Sequence, residues 1–202
     1  MSASIAILVE GRTEKAFKPI LLEFLKPRLI GKMPRLVFIR ADGRIPKENK
    51  LKRVVQLLLR ANDAVVALTD VYTGSSPRDF ANAAEARAKM REWVGPERHF
   101  YPHAAQHDFE AWLLPYWPQI KKIAGSDKAP PSSDPESVNH DKPPAKFLAE
   151  VFRLGSARDS YSKIRDAVAI LRGQDLSISA EKCPELKAFL NTILTLSGGE
   201  PL

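Results

Sequence analysis

Ile5-Ala6-Ile7-Leu8-Val9-Glu10-Gly11-Arg12-Thr13-Glu14 is the stretch whose reading decides the fold. The continuous apolar run Ile5–Val9 suits a strand buried on both faces of a parallel sheet. Glu10 ends it, Gly11 permits a tight turn, and Thr13 can cap a following helix with apolar positions at Ala16, Phe17, Ile20, Leu21 and Leu25. Working outward, Leu36-Val37-Phe38-Ile39 reads as a second strand leading into Ala41-Asp42-Gly43-Arg44. A basic helix follows from about Glu48 to Ala61, with Leu51, Val54, Val55, Leu58 and Leu59 on one side. Ala64–Leu68 is a third buried strand, stopping at Thr69-Asp70. Ser76-Pro77 is expected to open a helix running to about Trp93, and Arg98–Tyr101 reads as a fourth strand. The order β-α-β-α-β-α-β predicts an α/β fold, a largely parallel sheet flanked by helices.

The second half reads differently. His107–Leu114 looks helical and is interrupted by Pro115 and Pro118. Seven of the 16 prolines fall between 115 and 144, and Ala124–Asp141 reads as a polar, proline-rich loop. Helices are expected near 145–153, 158–171 and 181–195. The predicted organisation is a core over 1–118, a proline-rich loop over 119–143, and a helical appendage over 144–202 packed on the core.

Thirty-one basic against 24 acidic side chains leave a formal charge of +7 on 202 residues. The excess is concentrated between 26 and 60, where eleven Lys and Arg face only Asp42 and Glu48, a local balance of +9. Such a face can neutralise phosphates, and it can equally be a solvated helix surface. A single cysteine, Cys183, rules out an internal disulfide framework and fits a reducing cytoplasm. No apolar run approaches a membrane span or a signal peptide. A homo-oligomer stays open.

In a parallel α/β sheet, functional groups gather beyond the carboxyl ends of the strands. That rule selects Glu10 and Glu14, Asp42, Asp70, and Asp108 with Glu110. Carboxylates converging on one edge repel one another unless a cation sits among them, and all-oxygen ligation suits Mg²⁺ or Mn²⁺. Each has a plainer reading. Glu10 could pair with Arg12, Asp70 could close an Asx turn, Glu14 suits a first helical turn, and Asp42 before Gly43 suits a turn. Asp108 and Glu110 cannot share a helix face at their spacing, so one of them is expected to be structural, with Glu110 the preferred ligand. His99, His103 and His107 recur every four residues, but Phe100, Tyr101 and Pro102 argue against a helix and hence against zinc. His107 is the better candidate, contacting a phosphate or orienting Asp108. Trp93, Trp112 and Trp117 read as core or interface residues.

Val9-Glu10-Gly11-Arg12-Thr13-Glu14 after an N-terminal strand resembles the opening motif of Toprim domains, which occur in type IA and type II topoisomerases, bacterial primases, OLD-type nucleases and ribosomal RNA maturases. The resemblance implies that Glu10 is a general acid or base, and that Asp70 matches the first aspartate of an Asp-x-Asp pair holding Mg²⁺. Tyr72 stands where the second aspartate is expected. Thr69-Asp70-Val71-Tyr72-Thr73-Gly74 with Pro77 and Asp79, followed by His107-Asp108-Phe109-Glu110-Ala111-Trp112-Leu113, is similar to a bacterial Toprim-like family of unknown function. Its members carry Asp-Tyr-Tyr-Gly and His-Glu-Phe-Glu-Ala motifs. Pro143-Pro144-Ala145-Lys146 and Ala180-Glu181-Lys182-Cys183-Pro184 resemble that family's C-terminal pieces. In it, Asp108 or Glu110 would supply the carboxylate that Tyr72 does not.

The resemblance implies a nuclease-like effector, encoded beside an ABC- or SMC-like ATPase, often in phage-defence regions. The expected reaction is Mg²⁺-dependent hydrolysis of a phosphodiester. Glu10, Glu14 and His107 would be catalytic, and Glu10, Asp70, Asp108 and Glu110 metal ligands. Arg12, Arg40, Arg44, Lys47, Lys50 and Tyr72 would contact nucleic acid. A degenerate Toprim subunit regulating an ATPase is the second expectation. A phosphoryl or nucleotidyl transferase ranks last, because a primase's accessory regions are missing. No Gly-x-x-x-x-Gly-Lys loop is present, so ATP dependence would come from a partner.

Overall fold

The structure is a computed structural model that describes residues 3–72, 79–131, 134–137, 142–157 and 159–202. Among these, strands β1 (Ser4–Val9), β2 (Arg35–Arg40), β3 (Ala64–Asp70) and β4 (Phe100–Ala105) form one sheet in the order β2-β1-β3-β4, every pair parallel. The alternation of side chains along each strand divides the core between the two faces. Ile5, Ile7 and Val9 of β1, with Val66 and Leu68 of β3, face Phe17, Ile20, Leu21 and the C-terminal helices. Ala6, Leu8, Val65 and Ala67 face the opposite way, against Leu51, Val55, Met90 and Val94. A strand covered on both faces has no polar face to show, which is why β1 and β3 read as unbroken apolar runs.

Helices α1 (Arg12–Ala16) and α2 (Lys18–Leu25) follow β1, α3 (Glu48–Leu59) follows β2, and α4 (Ala83–Val94) follows β3. After β4 come a 3-10 helix over Phe109–Tyr116, α5 (Trp117–Ala124), a 3-10 turn at Pro135–Ser137, α6 (Pro144–Leu154), α7 (Lys163–Leu171), α8 (Leu176–Ala180) and α9 (Pro184–Leu196). Residues of α6 to α9, such as Leu148, Ile170, Phe189 and Ile193, share one continuous core with β1 and β3.

Several local expectations are corrected. Thr13 does not cap α1, because the helix begins two residues earlier with Gly11 at its N-cap. Ser76-Pro77 lies outside the described residues, and α4 starts at Ala83, where Asn82 accepts the Glu85 N–H at 2.9 Å. β3 extends through Thr69 and Asp70, and β4 runs to Ala105 rather than stopping at Tyr101. The segment after His107 is a 3-10 helix with Pro115 inside it, and Pro118 sits in the first turn of α5, where proline's missing N–H costs nothing. α7 begins at Lys163, the helix expected over 181–195 is α9, and the short α8 before it was not expected. Pro184 forces Cys183 into an extended conformation (φ −126°, ψ 90°) and starts a new helix. Within the proline-rich loop, Glu136 accepts the Trp112 Nε1–H at 3.1 Å and the Glu185 N–H at 3.2 Å, anchoring it to α9.

Candidate metal centre

Register places the first carboxylate. Val9 pairs with Leu68 and with Arg40, so Glu10 emerges level with Thr69 at the carboxyl edge of the sheet. The loop after β2 wraps it: the Ala41 N–H donates to the Val9 carbonyl at 2.8 Å and the Gly43 N–H to the Glu10 carbonyl at 3.1 Å. That turn needs positive φ at Asp42 (53°) and Gly43 (142°). Asp42 is thus turn chemistry, exposed and paired with Arg40 at 3.0 Å, and stands apart from the other acids.

Glu10 is nearly buried, at 3% exposure, and both of its carboxylate oxygens are engaged. Oε1 accepts the Thr69 hydroxyl and, at 3.4 Å, the Ile45 N–H, while Oε2 accepts the Tyr72 phenol at 2.6 Å. Burial raises the carboxyl's pKa above its ordinary range, and the hydrogen bonds from Thr69, Tyr72 and Ile45 oppose that rise. Glu14 reaches back from the first turn of α1 to accept the Gly11 N–H at 3.1 Å. A Cβ at position 11 would press on that carboxylate at 3.1 Å, so the short glycine keeps Glu14 in place.

Asp70 ends β3 beneath this group. Its pKa is pushed well up, first by burial and then by the charges of Glu10, Glu14, Asp108 and Glu110. Asp108 and Glu110 arrive from the turn after β4. Backbone pairing carries that turn onto the end of β3, the Tyr72 N–H donating to the His107 carbonyl at 2.9 Å. Both residues sit in the left-handed region, Tyr72 at φ 53° and His107 at φ 74°. Two adjacent non-glycine residues held there mark stored backbone strain, which recurs at functional sites. Asp108 Oδ2 accepts the Ala145 N–H at the start of α6 at 3.1 Å, while its Oδ1 is buried without a hydrogen-bond partner. Burial, then the charge of Glu110, pushes the Asp108 carboxyl up to about 7.

Glu110, 1% exposed, meets two groups at the start of α7: the Lys163 ammonium at 3.2 Å and the Tyr161 hydroxyl at 3.4 Å. The turn that presents them is closed by Asp166, whose Oδ2 accepts the Ser162 N–H at 2.7 Å. Thr69, Tyr161 and Lys163 are residues that sequence reasoning missed. A cleft of about 250 Å³ opens onto the cluster, lined by Tyr72, His107, Asp108, Pro143, Ala145, Lys146 and Lys163.

The arrangement therefore brings together Glu10, Glu14, Asp70, Tyr72, His107, Asp108 and Glu110. Both members of the Asp108–Glu110 pair are in the cluster, although one had been expected to be structural. Five buried carboxylates at one sheet edge are the oxygen chemistry that a divalent cation takes, and Asp108 Oδ1 is buried without a hydrogen-bond partner. Among the described residues no three acid, His or Cys side chains converge as they stand on a common ligand point. Hydrogen bonds within the protein hold the oxygens of Glu10 and Glu110 instead. His103 is elsewhere, bonded to Thr192 at 3.0 Å under α9, its imidazole pushed down to about 4 by burial. His99 is exposed, so the three histidines form no zinc site.

Of the expected nucleic-acid contacts, Arg44 and Lys47 both grip Asp79, each at 2.5 Å, and the Arg44 guanidinium lies over the Tyr72 ring at 5.1 Å. Arg12 and Lys50 are exposed and make no ion pair among the described residues. Arg12 is on α1, Arg40 ends β2, Arg44 and Lys47 lie in the loop before α3, and Lys50 is in the first turn of α3. Among the described residues, no helix is long and apolar enough to cross a membrane.

No curated protein sequence matches the chain. Two solved structures are similar. The C-terminal region of the Burkholderia pseudomallei OLD protein superposes with a TM-score of 0.54 at 14% identity, over 96% of this chain and 98% of that one. The C-terminal region of the Xanthomonas campestris pv. campestris OLD protein gives 0.44 at 16% identity, over 95% and 96%. At such identity the first likeness is one of fold: a parallel α/β sheet flanked by helices. A family profile described as "Domain of unknown function (DUF4276)" matches residues 9–194, nearly the whole length, and the chain belongs to that family.

Proposed function

We propose that the chain is a nuclease-like phosphodiester hydrolase that depends on Mg²⁺ or Mn²⁺. The observation that carries this reading is the meeting of five buried carboxylates at the carboxyl edge of the sheet, beside a cleft lined in part by Lys146 and Lys163. The resemblance to OLD C-terminal regions and to the Toprim motif supports it. Asp70, Asp108 and Glu110 would hold the ion, with Glu10 at its margin. A bound ion would polarise the phosphoryl group and lower the pKa of a water. Glu10, kept in one orientation by Thr69 and Tyr72, would move the proton. Glu14 would add negative charge beside it, and His107 would contact the scissile phosphate from the cleft wall. Arg12, Arg40, Arg44, Lys47 and Lys50 would hold the nucleic-acid backbone without reading sequence.

Two observations favour a second reading, a Toprim-like subunit without catalysis that regulates an ATPase of the ABC or SMC type. Tyr72 replaces the second aspartate, and the oxygens of Glu10 and Glu110 are occupied from within the protein. A defence role and an ATPase partner rest on the family resemblance, and a cytoplasmic site of action on the single cysteine.

The experiment is metal-dependent cleavage. Purified chain is incubated with single- and double-stranded DNA, tRNA and plasmid, in Mg²⁺, Mn²⁺ or EDTA, beside Glu10→Gln and Asp70→Asn. Cleavage that needs metal and is lost in both variants establishes the hydrolase. Absence of both cleavage and Mn²⁺ binding makes the second reading the better one.

A further inference from the structure

Buried charges persist in a fold only when something nearby balances them. Among the described residues, Lys163 is the one Lys or Arg side chain ion-paired to any of Glu10, Glu14, Asp70, Asp108 and Glu110. Its own side chain is 52% exposed, standing at the mouth of the cleft, while Glu110 beneath it is 1% exposed. The placement of Lys163 is built, because Ser162 and Asp166 close the first turn of α7 and Arg165 pairs with Asp166 at 2.9 Å. Tyr161 and Lys163 between them occupy both oxygens of Glu110.

We propose that Lys163 is the resident counter-ion of the carboxylate cluster, and that it and a divalent cation are alternative partners of Glu110, each weakening the other's hold. The proposal rests on the metal-site reading above and adds a positioning residue on α7, outside every motif at the strand ends. Coupling of this kind is reciprocal, so removing the ammonium strengthens metal binding by the factor with which metal binding loosens the ammonium. A lysine that acted as an ordinary surface ion pair would leave metal affinity untouched. One that helped to hold the metal's shell would lower the affinity when removed.

The test titrates Mn²⁺ alone into the full chain by calorimetry and follows melting in EDTA, for wild type, Lys163→Met and Lys163→Arg. Lys163→Met is expected to melt several degrees lower in EDTA and to bind Mn²⁺ about tenfold more tightly. Lys163→Arg, which keeps the charge, is expected to match wild type in both. Lys163→Gln repeats the titration should the methionine variant aggregate. Mn²⁺ binding by Lys163→Met alone also supports the proposal. Equal or weaker binding by Lys163→Met than by wild type overturns it while leaving the metal site standing. Binding by none of the proteins overturns both the metal site and the counter-ion.

Discussion

The Tyr72 phenol donates to Glu10 Oε2 at 2.6 Å, from the position where the Toprim pattern carries a second aspartate. A donor has taken the place of a sixth carboxylate. Its effect on Glu10 is the opposite of what an aspartate would have: it stabilises the ionised carboxylate and fixes its direction. Arg44 lies over the same ring, tying the basic loop after β2 to the acid that would move the proton.

Tyr72→Phe removes that hydrogen bond and leaves the ring. Glu10 then loses one of the interactions opposing its raised pKa, so its pKa rises further. If ionised Glu10 is the base, the acidic limb of the pH–rate profile moves to higher pH, and the rate near neutrality falls about tenfold. Stability changes by about 1 kcal/mol, the worth of one such hydrogen bond. A profile unmoved by Tyr72→Phe would separate Glu10 from proton transfer.

The metal-free protein is expected to lose stability as pH rises through the acid range. Asp108 has an ordinary carboxyl value of 3.8 when unfolded and about 7 in the fold, and Asp70, Glu10 and Glu110 are raised in the same direction. Between the two values the folded state binds more protons at these carboxyls than the unfolded state, so their contribution to stability is greatest below about pH 4 and declines towards pH 7, against the opposite contribution of His103. Melting in EDTA across this range checks the sign. Asp108→Asn should flatten the decline, and Mn²⁺ should reverse it, because a bound cation takes over the role of the protons.

The parallel sheet was legible because burial on both faces leaves its mark in consecutive residues, and Glu10 and Asp70 were legible because strand ends are where apolar runs stop. What the sequence did not disclose lies in contacts between distant segments. Lys163 looks like any basic residue near a helix start, and only the docking of α7 beside the 3-10 helix brings it to Glu110. Thr69 was visible as a strand end, but its bond to Glu10 depends on the register between β1 and β3. Glu136 belonged to a stretch read as loop, and its anchoring of α9 depends on Trp112 and Glu185. The basic run between 26 and 60 was read as one feature, whereas Arg28 is tied to Asp175 and Arg44 lies over the Tyr72 ring.

Asp79 holds the cations that a phosphate would need. It accepts from both Arg44 and Lys47, whose hydrogen bonds and charges lower its pKa against the desolvation of its setting. Asp79→Asn frees both side chains. Binding of an oligonucleotide, measured by fluorescence anisotropy in EDTA, should tighten, and its salt dependence should steepen by about 1 to 2 logarithmic units per decade. Lys50→Ala should do the reverse by about 1, uniformly across sequences. Unchanged slopes in both variants would remove this loop from the nucleic-acid interface.

Gly155 offers a test of how the turn before α7 is supported. A Cβ there would lie 1.9 Å from the Ala124 carbonyl oxygen, closer than any side chain can approach backbone. The Ser156 N–H donates to the Gly125 carbonyl at 3.0 Å and the Ala157 N–H to the Ala124 carbonyl at 3.2 Å, clipping the end of α6 to the end of α5. Gly125 sits at φ 64°, which a side chain rarely adopts, so neither partner of the clip can yield cheaply. Gly155→Ala should therefore destabilise the protein by roughly 2–4 kcal/mol, well beyond an ordinary surface glycine substitution. Gly43→Ala faces open space and strains only its positive φ, so its cost should stay near 1 kcal/mol. If the clip holds Tyr161 and Lys163 against Glu110, Gly155→Ala should also loosen that ion pair and bind Mn²⁺ more tightly than wild type. A melting loss without any change in Mn²⁺ affinity would mean that α7 is held by its own packing on α1 and α5.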